Sequence, residues 1–176
     1  MDTGLLILRL GLGLTLAVHG LQKLFGWFGG LDLSSTGAAF AALGYRPGKL
    51  FALLAGLAEA AGGVLLAIGF LTPLAAMAVM SAMLGATLSA HLRNGFWNSK
   101  DGVEYTLLLG VLAAGIAFTG WGSYSVDHLL GWNLGGVVWG EVAVAVTIAA
   151  ALPTELYRRR NLAQVAPTQT SSSTAD

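Results

Sequence analysis

Five long apolar stretches, at residues 4–21, 50–71, 73–92, 105–121 and 134–152, constrain this chain more than any other feature. At about 1.5 Å per helical residue, each reaches across most or all of a hydrocarbon core about 30 Å thick, the shortest with some tilt or local thinning. Residue usage agrees, because 55% of the 176 residues are hydrophobic and only 10% are charged, against roughly 25% charged in soluble domains. Glycine and alanine run through all five stretches, which would weaken a helix in water but lets backbones approach closely in lipid. The expected fold is therefore all-α, an integral membrane helical bundle. The fifth stretch is the weakest of the five, since Gly135 and Gly136 open it and Glu141 interrupts it.

Nine basic and nine acidic residues cancel, so no global field draws the chain to nucleic acid. Their placement is informative. If all five stretches cross, every Lys and Arg except Arg9 falls on one side: Lys23, Arg46 and Lys49 around the first connection, Arg93 and Lys100 in the third, and Arg158, Arg159 and Arg160 after the fifth. The positive-inside rule then sets the N-terminus outside and the C-terminus in the cytoplasm, whereas four crossings would put the triple arginine on the other face. Trp27 and Trp97 fall at the inner interface, and Trp121, Tyr124 and Trp132 at the outer one, as an aromatic belt requires. The first stretch has no basic segment ahead of it and no small-residue cleavage site after it, and reads as a retained helix. Ser34, Thr36, Ala38, Ala39, Phe40 and Leu43 read as an N-capped interfacial helix ended by Gly44. Residues 1–160 are expected to form the transmembrane domain, and 161–176, polar beyond Ala163, a disordered cytoplasmic tail.

Ionisable side chains inside a bilayer are costly and face a partner or a cavity, which makes each one a candidate site. Glu59 lies about 15 Å along its helix from Lys49, near mid-membrane. Gly56 and Gly63 share its face, so the carboxylate is expected to point into the bundle. His19 and Lys23 are four residues apart and stack on one helix face, with Gln22 adjacent. His91 ends the third stretch at the same side, and Glu104 and Tyr105 begin the fourth there. His19, Lys23, His91 and Glu104 are thus expected to converge at one depth, with Glu59 deeper, either as a site or as an interfacial salt-bridge cluster with Lys23 snorkelling to water.

Two histidines and two carboxylates also offer metal or haem ligands, but no spacing signature supports such a centre, and no metal site is assigned. The chain has no cysteine, which excludes a dithiol relay and leaves redox chemistry to a bound cofactor or a partner. Met77, Met80 and Met83, continuing through Thr87 to His91, form an adaptable strip that would suit a quinone ring; packing is the preferred reading. Arg9, alone on the outer side, has Glu141 or Asp127 as candidate counter-charges.

The stretches LRLGLGLTLAVHGLQKLFG (8–26), GLAEAAGG around Glu59, HLRNGFWN (91–98), EYTLLL from Glu104 and WGSYSVD ending at Asp127 resemble, in this order, the DoxX family of small bacterial membrane proteins. The resemblance spans residues 5–131 and implies a four-helix bundle core in a bacterial inner membrane, with the segment 134–152 as an additional transmembrane helix. It also implies that Arg9 and Asp127 belong to the core and form its structural ion pair, while Glu141 lies beyond it. The family takes its name from similarity to the DoxD membrane subunit of a thiosulfate:quinone oxidoreductase, and relatives are linked with thiol-redox and oxidative-stress systems. That implies a subunit of a quinone-linked or stress-related redox system, with the cofactor left open and a quinone as the candidate. Glu59, His19 and Lys23 would then be catalytic, Glu59 relaying protons, while Gln22, His91, Asn94, Glu104 and Tyr105 join His19 and Lys23 in binding. The partners expected are the lipid bilayer, a soluble redox protein and further copies of the chain. A non-catalytic scaffold docking partners on Arg158 to Arg160, and a small-molecule or proton carrier using Glu59, are the competing functions.

Overall fold

The structure, a computed structural model, describes residues 2–165. Its architecture is all-α: helices α1 (Asp2–Phe25), α2 (Leu33–Ala42), α3 (Gly48–Ile68), α4 (Thr72–Ala86), α5 (Glu104–Thr119), α6 (Val126–Leu129) and α7 (Val137–Val165). The helix begun by α4 continues through a π turn at Thr87–His91 and a 3-10 turn at Leu92–Asn94. Four helical segments, Asp2–Phe25, Gly48–Ile68, Thr72–Asn94 and Val137–Gln164, are long and apolar enough to cross a membrane. The fourth apolar stretch, α5, is a shorter helix of 16 residues, about 24 Å long. The last stretch, the weakest by sequence, forms the longest helix, at 29 residues. Gly135 and Gly136 fall in the connection before it, and Glu141 is exposed on its outer face.

Antiparallel packing of the five long elements defines two ends, one bearing Arg9 and the other Lys23. α1 packs chiefly on α3, α3 on α4, and α4 on both α5 and α7, with α5 against α7. The α1–α3 contact is backbone to backbone. A Cβ at Gly13 would collide with Gly63 and Ala67, and one at Gly20 with Gly56 and Ala60, so the small residues of the two helices face each other at helical spacing. Leu12, Leu16, Leu66, Val79, Met80, Met83, Leu109 and Ile116 fill the centre. The methionine strip is thus core packing: Met80 and Met83 are buried there and Met77 packs against it. Large exposed aromatics mark both ends, Trp27 and Trp97 at one, Tyr124 and Trp132 at the other.

At the Arg9 end, the two charges expected to pair are each bonded to backbone groups, with no ion-pair contact between Arg9 and Asp127 among the described residues. Arg9 is fully buried, but its guanidinium donates to the carbonyls of Trp121 and Tyr124. Asp127 instead accepts from the backbone N–H of Leu71 and Thr72 at 2.8 and 2.9 Å, and from the Thr72 hydroxyl at 2.8 Å. A carboxylate is best placed at a helix start, where free N–H groups and the helix dipole both favour it, and α4 begins there. Gly69, in the left-handed region at φ 66°, joins the two groups. Its carbonyl accepts from Asp127 N at 2.9 Å, and a side chain in its place would fall on the Arg9 guanidinium.

At the other end, α2 is capped by Asp32, whose side chain accepts from Ser35 N at 2.8 Å, and it is followed by Gly44 at φ 95°. Residues 161–165, expected to open the tail, continue α7; the rest of the expected tail lies outside the described residues.

Candidate functional site

The glycine faces that bring α1 and α3 together also bring their charges together. Lys23 is one turn beyond Gly20 on α1, and Glu59 lies between Gly56 and Gly63 on α3. Lys23 Nζ donates to Glu59 Oε1. The Glu59 side chain is 1% exposed and that of Lys23 29%, so the carboxylate is in the interior and the lysine leads outward from it.

Both residues line a cavity of about 270 Å³. Its floor is the small-residue face of α4 (Ser81, Ala82, Gly85, Ala86) with Ser89 of the π turn that follows, and one wall is α3 (Phe51, Leu54, Ala55, Ala58, Glu59). The opposite wall is α7 (Thr147, Ala150, Ala151, Thr154, Glu155), and Phe40, Tyr45 and Leu88 close the end towards the α2–α3 connection. Tyr45 is 5% exposed and packs between Phe40 and Phe51, with ring centroids 5.5 and 5.0 Å away. The lining is mostly apolar and partly aromatic, with its polar groups at a few points, which is how small-molecule sites are built.

Three buried polar side-chain atoms have no hydrogen-bond partner among the described residues: Arg9 Nε, Glu59 Oε2 and Thr147 Oγ1. Two of these three, Glu59 Oε2 and Thr147 Oγ1, belong to residues that line this cavity. Such groups cost about 1–3 kcal/mol each when left unmade.

The other residues expected to converge here do not line the cavity. His19 Nδ1–H donates to Thr15 O at 3.0 Å, and its ring lies 5.9 Å from that of Tyr105. Gln22 donates to Phe28 O at 3.3 Å. His91 and Asn94 donate to Asp101 O at 2.7 and 3.1 Å, and Glu104 accepts from Asn98 N at 2.9 Å. These bonds fold the 91–104 connection upon itself: each of the three side chains is held by a neighbour in sequence. Among the described residues no three His, Asp or Glu side chains gather as a metal-ligand set would.

Sequence reasoning missed the α7 wall. Ala143, Thr147, Ala151 and Arg158 recur on one face at helical spacing, the sign of a buried stripe, but the segment read as an appendage. Arg158, expected on a docking surface, is 4% exposed. It donates to Leu43 O at 3.1 Å, to Leu88 O at 3.4 Å and to Glu155 at 2.7 Å. Asn161 adds a bond to Gly44 O at 2.9 Å and Tyr157 one to Arg46 O at 2.6 Å. This end of α7 therefore buckles the α2–α3 connection over the cavity.

No curated protein and no solved structure matches the chain. The DoxX family model matches residues 4–92. That segment contains His19, Lys23, Glu59 and the floor of the cavity, while α5 and the α7 wall follow it. Half of the chain, including the paired charges, thus fits one family pattern, and the protein belongs to the DoxX family.

Proposed function

We propose that this chain is the membrane subunit of a quinone-linked redox system, with the cavity between α3, α4 and α7 as its quinone site. The observation that carries this is the Lys23–Glu59 pair set into an apolar, aromatic-lined cavity within a membrane bundle. A quinone ring suits the walls, and its oxygens suit the pair. Reduction of a quinone to hydroquinone consumes two electrons and two protons. With no cysteine the chain has no thiol store, so the electrons pass to or from a partner redox protein. Glu59 exchanges a proton with the ring oxygen, and Lys23, partly exposed, links the carboxylate to the interface.

Every basic residue but Arg9 belongs to the Lys23 end or its connections, so the positive-inside rule turns that end to the cytoplasm of a bacterial inner membrane. Arg159, Arg160, Phe96 and Trp97 are exposed there and offer the soluble partner its surface. His19 and Tyr105 flank the pair from α1 and α5 and take a supporting role.

Mass spectrometry of the gently purified protein tests the site. Wild type should carry isoprenoid quinone near one per chain, and Glu59→Gln should lower it by about tenfold, the loss of one charge-assisted hydrogen bond. Wild-type protein without bound quinone, in membranes whose quinone-dependent electron transfer is unchanged by Glu59→Gln, overturns the proposal. The self-contained bonding of His91, Asn94 and Glu104 favours a second reading, a scaffold for a soluble oxidoreductase. Under it, the partner co-purifies in stoichiometric amount with a cofactor-free membrane chain.

A further inference from the structure

We infer that the cavity selects the reduced ligand, a hydroquinone headgroup, with Glu59 Oε2 accepting from one ring hydroxyl and Thr147 on α7 holding a second oxygen. This rests on the quinone reading and adds the redox state and a specificity residue. Lys23 occupies Oε1 and leaves Oε2 buried without a donor. An ionised carboxylate oxygen accepts only. An oxidised quinone carries only acceptors at its ring oxygens and cannot satisfy it, whereas a hydroquinone brings an O–H.

Thr147 supplies the second point of contact from the facing wall. Some helical Thr hydroxyls bond across elements, Thr72 to Asp127 and Thr87 to Thr106, and four Thr and Ser hydroxyls turn back to the carbonyl four residues earlier: Thr15 to Gly11, Ser89 to Gly85, Thr119 to Gly115 and Thr154 to Ala150. Thr147 does neither, although it is 4% exposed. Its depth matches that of Glu59. Counted from the Arg9 end, Glu59 is nine residues from Ile68, about 13 Å, and Thr147 ten from Val137, about 15 Å. The two residues therefore line one cavity from different helices at similar heights. The Thr147 hydroxyl can serve either redox form, because it both donates and accepts. Glu59 thus sets the preference between forms and Thr147 adds affinity to both.

The test is anaerobic titration of the purified full chain in nanodiscs with decylubiquinol and, separately, decylubiquinone. Wild type should bind the hydroquinone about tenfold or more tightly than the quinone, the margin of one charge-assisted hydrogen bond. Glu59→Gln should bring that ratio close to one. Thr147→Val should weaken both forms by a similar factor and leave the ratio unchanged, with Thr147→Ser restoring affinity. Equal binding of both forms by wild type, or tighter binding of the quinone, overturns the selection while leaving the quinone site standing. Unchanged affinities in Thr147→Val overturn the role of Thr147. If neither form binds wild type, the quinone reading falls and this inference with it. The wild-type ratio needs no variant to fold.

Discussion

At the scale of single residues, most of the buried charge in this bundle is spent on holding helices, and one carboxylate oxygen is left over. Lys23→Met leaves the Glu59 carboxylate buried and unpaired, and should lower stability by about 3–5 kcal/mol, the usual consequence of breaking a buried pair from one side. Lys23→Met combined with Glu59→Gln should recover a large part of that loss; thermal unfolding of the four proteins in one detergent checks it, and simple additivity would contradict the pairing. At the other end, Arg9→Met removes two carbonyl partners and Asp127→Ala the cap of α4. Because the two side chains bond to different backbone groups, each change should be destabilising and their coupling should stay below that of Lys23 with Glu59 in the same measurement. The sequence made Glu59 legible by the glycines on its face and Lys23 by its helical spacing from His19, but not their direct pairing. It could not show that Asp127 would serve a helix start, because that depends on where the α3–α4 turn meets the α5–α7 connection, more than fifty residues along the chain.

At the scale of elements, α7 changes the picture most. Its polar groups bond to the α2–α3 connection and to the π turn after α4, so Arg158→Ala and Asn161→Ala should loosen that connection. Faster hydrogen exchange at residues 43–46, with exchange in α1 unaltered, is the expected outcome. The buckle was hidden from sequence because Pro153 and the triple arginine look like the end of a helix and the start of a solvated tail. Lipid-embedded helices tolerate such a proline when neighbours satisfy the freed groups. The small helix α2 depends instead on Asp32, whose carboxyl the Ser35 backbone N–H holds below the usual aspartate range. A folded-state pKa depressed in this way adds stability above the unfolded value, and the contribution is lost as pH falls through the depressed one. The Ser35 amide resonance should therefore titrate with a midpoint below that of ordinary aspartate, and Asp32→Ala should abolish the transition.

For the whole molecule, the antiparallel order of α1, α3, α4, α5 and α7 puts the two ends of the described chain at opposite ends of the bundle. The lack of native cysteine makes this directly measurable. A cysteine placed at Lys100 should react with a membrane-impermeant maleimide only after cells are opened, and one placed at His128 should react in intact cells; the reverse pattern would invert the proposed orientation. That the five apolar stretches form helices was readable from hydropathy, but their relative importance was not, because α5, too short to count among the four long apolar helices, is well packed and the longest helix, α7, completes the cavity. The Lys23–Glu59 pair also bears on how the protein is made. The two residues are thirty-six positions apart, on consecutive long helices, so a ribosome delivers Lys23 to the membrane before Glu59 emerges. The carboxylate then enters lipid as part of a hairpin that already carries its counter-ion, and glycines let that hairpin close without waiting for the other helices. The order of synthesis thereby spares the insertion machinery an unpaired charge at mid-membrane.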